Sequence, residues 1–166
     1  MTALRIILGD QISETISSMD GANPQRDIIL LCEVVAEATY VKHHNKKISL
    51  MFSAMRHFAE DLRSKGYRVD YYHLDPKAPL GNFTAAVRQA LGTHTVDHII
   101  VTEPGEYRVG TELSGWAETF DLPVFIRPDT RFLCDHDEFE TWSEGRKSLR
   151  MEYFYRDMRK KYSILM

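Results

Sequence analysis

Short runs rich in Ile, Val and Leu recur at residues 4–8, 28–32, 69–74, 98–101 and 124–126, each separated from the next by a segment long enough for a helix. Runs that are apolar at nearly every position suit strands buried on both faces. Their alternation with helix-length segments predicts a parallel sheet with crossover helices. Between the second and third runs, Met51, Phe52, Met55, Phe58, Ala59 and Leu62 return at helical spacing, and Gly66 supplies a stop. Leu113, Trp116, Ala117 and Phe120 predict a further helix, limited by Pro123. In the tail, Met151, Phe154, Tyr155, Met158 and Tyr162 form an apolar stripe, with Arg146, Lys147, Arg150, Arg159, Lys160 and Lys161 largely on other faces. Such a basic amphipathic helix needs a surface to pack against, which predicts a following domain or self-association through the stripe.

Length and charge narrow the reading. A chain of 166 residues predicts one compact unit with a core that needs no disulfide support. Lys and Arg number 21 against 24 Asp and Glu, a net of -3, so the chain as a whole has no electrostatic drive towards nucleic acid. Cys32 and Cys134 lack the paired spacing of a zinc or iron–sulfur site and read as buried thiols in a reducing compartment. The first residues run straight into a strand without the parts of a signal peptide, and no apolar stretch approaches the roughly 18 residues of a membrane span. A soluble, cytoplasmic protein is expected.

The candidate chemistry gathers where the strands end. In open α/β sheets ligands bind beyond the carboxyl ends of the strands. Immediately after the second run comes a crowd of polar side chains, residues 33–48, that includes Glu33, Glu37, Tyr40, His43 and His44. The first run ends in Gly9, Asp10 and Gln11, where Gly9 permits a tight turn and the two polar residues suit either helix capping or a ligand. The fourth ends in Glu103, Pro104, Gly105, Glu106, Tyr107 and Arg108. Carboxylates at three strand ends predict a polar pocket for a ligand rich in hydrogen-bond donors, such as a polyol chain or heterocyclic N–H groups. His43 and His44 are adjacent and make a poor chelating pair. No glycine-rich pyrophosphate loop, P-loop or nucleophile elbow is present, which argues against an ordinary dehydrogenase, an NTPase or a serine hydrolase.

Six ordered stretches, residues 8–11, 37–44, 52–58, 102–106, 129–133 and 145–159, resemble the N-terminal part of the prokaryotic iron–sulfur photolyase and cryptochrome family, the deoxyribodipyrimidine photolyase-related proteins. The resemblance implies a Rossmann-like three-layer α/β sandwich with a five-stranded parallel sheet ordered 3-2-1-4-5. It implies an antenna domain over residues 1–133 and a helical linker over 134–166, leading to a helical domain that this chain does not contain. In that family the helical domain carries FAD, a [4Fe–4S] cluster and the surface for damaged DNA, and Cys32 and Cys134 are not the cluster ligands. Lyase chemistry would then belong to the full-length protein, in DNA repair or blue-light sensing, and light harvesting to this domain. By position, an antenna chromophore, 6,7-dimethyl-8-ribityllumazine, would fall on Gly9, Asp10, Gln11, Cys32, Glu33, Val34, Glu37, Tyr40, His43, Met51 and Glu106. A stand-alone nucleotide or small-molecule binding module of the same architecture, without photochemistry, is the alternative reading.

Overall fold

The computed structural model describes residues 1–165. They form two compact units, residues 1–128 and the segment from Asp129 onward, where length predicts one.

In the first unit, β1 (Ala3–Ile6), β2 (Ile28–Cys32), β3 (Arg68–Tyr72), β4 (His98–Thr102) and β5 (Val124–Arg127) pair in parallel in the order β3-β2-β1-β4-β5. The three central strands are the continuous apolar runs and are almost wholly buried, whereas β3 and β5, at the edges, are partly exposed. Strand side chains alternate between faces. Leu4, Ile6, Leu30 and Val101 therefore pack against α3 (Phe83–Thr93), α4 (Tyr107–Ser114) and α5 (Trp116–Phe120), while Ile7, Ile29 and Leu31 pack with Ala59 and Leu62 of α2 (Asn45–Ser64). Together with α1 (Val35–Thr39) these elements make the Rossmann-like sandwich. Among the described residues no helix is long and apolar enough to cross a membrane.

Two crossovers differ from the helices that the sequence pattern predicts. Residues 9–27 contain only a short 3-10 turn, Ser17–Met19, because Gly9, Ser13, Asp20, Gly21, Asn23 and Pro24 all favour turns. The buried Arg5 replaces helical hydrogen bonding there. Its Nε donates to Asp27 Oδ2 at 2.8 Å, and Nη1 and Nη2 donate to the carbonyls of Ser18, Asp20 and Gly21 at 2.7, 3.1 and 3.2 Å. The single helix expected around Trp116 is two, α4 and α5, joined at Gly115. The stop at Gly66 is present, with a φ of 87° that suits glycine.

In the second unit, α6 (His136–Ser143) and α7 (Met151–Tyr162) flank a turn at Gly145. Phe154, in the middle of the tail's apolar stripe, meets Phe139 and Trp142 of α6 edge-on, with centroids 5.3 and 5.0 Å apart. Part of the stripe thus finds its partner inside its own unit, although Met151 remains 74% and Tyr155 52% exposed.

Candidate functional site

A cavity of about 510 Å³ lies at the carboxyl edge of the sheet, inside the roughly 300–1,000 Å³ range of ligand sites. Its buried walls are apolar: Leu8, Cys32 and Val34 from strand ends, Met55 from α2, Phe83 from α3 and Val109 from α4. Ile48, Met51 and Phe52 extend the α2 wall, because positions 48, 51, 52 and 55 share one helical face. The more exposed rim is polar and carries Asp10, Glu37, Tyr40, His43, Lys47 and Glu106. Gly9 also lines the cavity, and a Cβ there would lie 3.0 Å from Met55 Sδ, so the floor depends on the missing side chain.

Nine of the eleven residues singled out from the sequence thus line one cavity; Gln11 and Glu33 do not. Gln11 is fully buried and donates to the carbonyls of Thr102 and Glu103 at 3.3 and 3.1 Å, tying the loop after β1 to the end of β4. Glu33 follows strand alternation. Cys32 points with Ile28 and Leu30, and Glu33, whose N–H continues the ladder to the Tyr72 carbonyl, faces α2 instead. There it accepts two bonds from Arg56 at 2.6 and 2.8 Å, one from the Tyr71 hydroxyl at 2.6 Å and one from the Leu74 N–H at 2.9 Å. Burial pushes the Glu33 carboxyl up, but these four donors outweigh it and hold the group below the usual carboxylate range. Burial, reinforced by Glu33, raises the Tyr71 hydroxyl in turn.

Burial likewise raises the Cys32 thiol, with Glu112, Glu37 and Glu33 adding to it, and Cys32 forms part of the cavity's apolar wall. The two histidines separate. His43 reaches the cavity, its ring edge-on to Tyr40 at 5.3 Å, while His44 caps α2 by accepting from the Lys46 N–H at 3.1 Å.

The rim holds one feature that the candidate residues omitted. Arg108, from the first turn of α4, donates to Glu37 Oε1 at 2.6 Å, to Glu106 Oε1 at 2.9 Å and to Glu106 Oε2 at 3.1 Å, and its guanidinium lies 4.6 Å from the Tyr40 ring centroid. A guanidinium is always charged, and its hydrogen bonds to Glu37 and then to Glu106 raise its proton affinity further. Phe83 was also missed. The signal available for it was Asn82, whose side chain accepts from the Ala85 N–H at 2.9 Å and opens α3.

An α/β sandwich with an apolar cavity and a polar rim at the strand ends is a ligand-binding arrangement. A family model described as deoxyribodipyrimidine photo-lyase-related protein matches residues 5–166, and the chain belongs to that family. It is also 54% identical over 166 residues to a protein of Agrobacterium fabrum described as a (6-4) photolyase. That match covers the whole of this chain and 33% of the relative, so the chain spans about a third of the relative's length.

Proposed function

We propose that this chain is the antenna domain of a photolyase-related flavoprotein acting in light-driven DNA repair or blue-light sensing, and that its cavity holds a flat, polyhydroxylated chromophore such as 6,7-dimethyl-8-ribityllumazine. The observation that carries this reading is the division of the cavity into buried apolar walls and a polar rim. Such a division suits a ligand with an aromatic ring at one end and hydroxyls at the other. Met51, Phe52 and Met55 on α2 offer the ring a soft apolar face, and Phe83 and Val109 oppose water from beneath. Glu37, Asp10 and Glu106 offer carboxylate oxygens to hydroxyl donors. When bound, the chromophore supplies blue-light absorption and passes its excitation on. The protein's own part is to fix the position and orientation of the ring and to exclude water, which calls for no acid, base or nucleophile.

In this reading FAD and the [4Fe–4S] cluster belong to the part of a full-length protein that this chain does not contain, and damaged DNA is a partner of that larger protein. The exposed Met151, Tyr153 and Tyr155 of α7 are surfaces for that part, or for a second copy in its absence.

The test is to mix the purified chain with 6,7-dimethyl-8-ribityllumazine, remove free ligand by gel filtration, and record absorption and fluorescence. The parent should retain the chromophore. Met51→Trp, which fills the α2 wall, and Glu37→Ala, which removes a rim acceptor, should lose it. A colourless parent overturns the antenna reading.

A further inference from the structure

The cavity lining carries more carboxylates than cations. Asp10, Glu37 and Glu106 bring three carboxylates to the lining, against a single lining lysine, Lys47. Lys47 is exposed, and its Nζ lies 3.4 Å from His43 Nδ1. Arg108 would ordinarily be a phosphate ligand, since a guanidinium matches phosphate oxygens in pairs. Here its Nε and Nη2 are engaged by Glu37 Oε1 and both Glu106 oxygens, and its planar face rests near Tyr40. An incoming ligand therefore meets carboxylate oxygens, with the exposed Lys47 as the lining cation.

We infer that the Arg108 bridge makes this cavity selective for an uncharged polyhydroxyl chain and against the same ligand ending in a phosphate, with Arg108 acting as a positioning residue that holds Glu37 and Glu106 as acceptors. The inference rests on the chromophore-binding reading above and adds to it the chemical class that is refused. A hydroxyl donates to a carboxylate. A phosphate monoester brings only strong acceptors at neutral pH and a charge of about -1.5 to -2, so it has no donor to offer the Glu37 and Glu106 carboxylates and is disfavoured beside them. The Nε and Nη2 donors of the arginine that could compensate are taken up by the protein's own acids, a device that gains discrimination from repulsion as well as from attraction.

The experiment is a fluorescence titration of the chain with 6,7-dimethyl-8-ribityllumazine and, separately, with its 5′-phosphate ester. The parent should bind the phosphate ester roughly tenfold more weakly or worse, and the gap should shrink as salt is raised. The double substitution Glu37→Gln and Glu106→Gln keeps carbonyl acceptors at the rim but frees Arg108, so the preference should close or invert towards the phosphate. Arg108→Gln should widen the gap, and Arg108→Lys should preserve most of it. A general loss of structure would weaken both ligands together and leave their ratio unmoved. Equal affinities in the parent, or a ratio unchanged in a double variant that melts like the parent, would overturn the selectivity while leaving the antenna reading intact. Failure of the parent to bind either ligand would overturn both.

Discussion

Glu33 and Glu37 lie close together in the chain, and each is held by an arginine, yet they perform different work. Glu33 is wholly buried at the end of β2, and its four donors come from α2, from Tyr71 of β3 and from the Leu74 N–H just beyond it, so it fastens α2 to the edge of the sheet. Glu37 is one-third exposed on α1, shares Arg108 with Glu106, and faces the cavity. An arginine–carboxylate contact is therefore not informative about its role. What decides the role is where the rest of the carboxylate points, towards other protein donors or towards open space.

Removing the two carboxylates should separate these roles most clearly. Glu33→Ala leaves the Tyr71 hydroxyl and the Leu74 N–H without their acceptor, and should cost about 2–3 kcal/mol in urea denaturation. Arg56, being half exposed, can turn to water and limits the loss. Glu37→Ala should cost about 1 kcal/mol or less, because its contact is partly solvated. Equal losses would erase the distinction.

Acid sharpens the same contrast. The folded Glu33 carboxyl is held below its unfolded value, as is that of Asp27, where burial is outweighed by the Asn23 N–H, Arg5 and the Ala3 N–H. Protonation therefore favours the unfolded chain. The contribution of each is complete above the unfolded range near about 4 and is lost as pH falls through the folded value. The urea midpoint should hold steady from neutral pH down to that range and then fall, and Glu33→Gln should make the fall shallower than in the parent. A parent and a variant with parallel acid limbs would remove Glu33 from the account.

Gly9→Ala tests the cavity floor. A Cβ 3.0 Å from the sulfur of the buried Met55 forces that side chain aside, at about 1 kcal/mol by the usual cost of overpacking, with chromophore retention falling further than stability does. The smallest effect on stability is expected of Arg108→Gln. Its bridge is more than one-third exposed, so the melting curve should move by less than the equivalent of about 0.5 kcal/mol, while the ligand preference changes. A large destabilisation there would make the rim bridge a fastening of the Glu33 kind.

Much of the architecture was legible along the chain. The run at 28–32 is β2 itself, and those at 98–101 and 124–126 fall one residue short of β4 and β5. The stripe that predicts α2 turns out to carry both the core side of that helix, through Ala59 and Leu62, and a cavity wall, through Met51 and Phe52. Glu33 was misplaced for a reason the sequence also contained, since alternation from Ile28 puts Cys32 and Glu33 on opposite faces. Arg5 was hidden because a charged residue inside an apolar run reads as a blemish until Asp27 and the loop carbonyls are seen around it. The aromatic face of α6 escaped notice as well, because Phe139 and Trp142 gain meaning only against Phe154.

Periodicity and turn chemistry, which act over a few neighbouring residues, are enough to specify strands, helices and the edge of the sheet at which polar groups collect. Contacts such as Arg108 with Glu37, separated by 71 residues, depend on which strands become neighbours and on the angle at which each helix leaves the sheet. Neither quantity is local. The edge of the sheet that carries the candidate site was therefore legible in the chain, with its residues supplied by the family resemblance, but which carboxylate fastens the fold, which one faces the cavity, and which arginine bridges the rim were decided only when the strands assembled in the order β3-β2-β1-β4-β5.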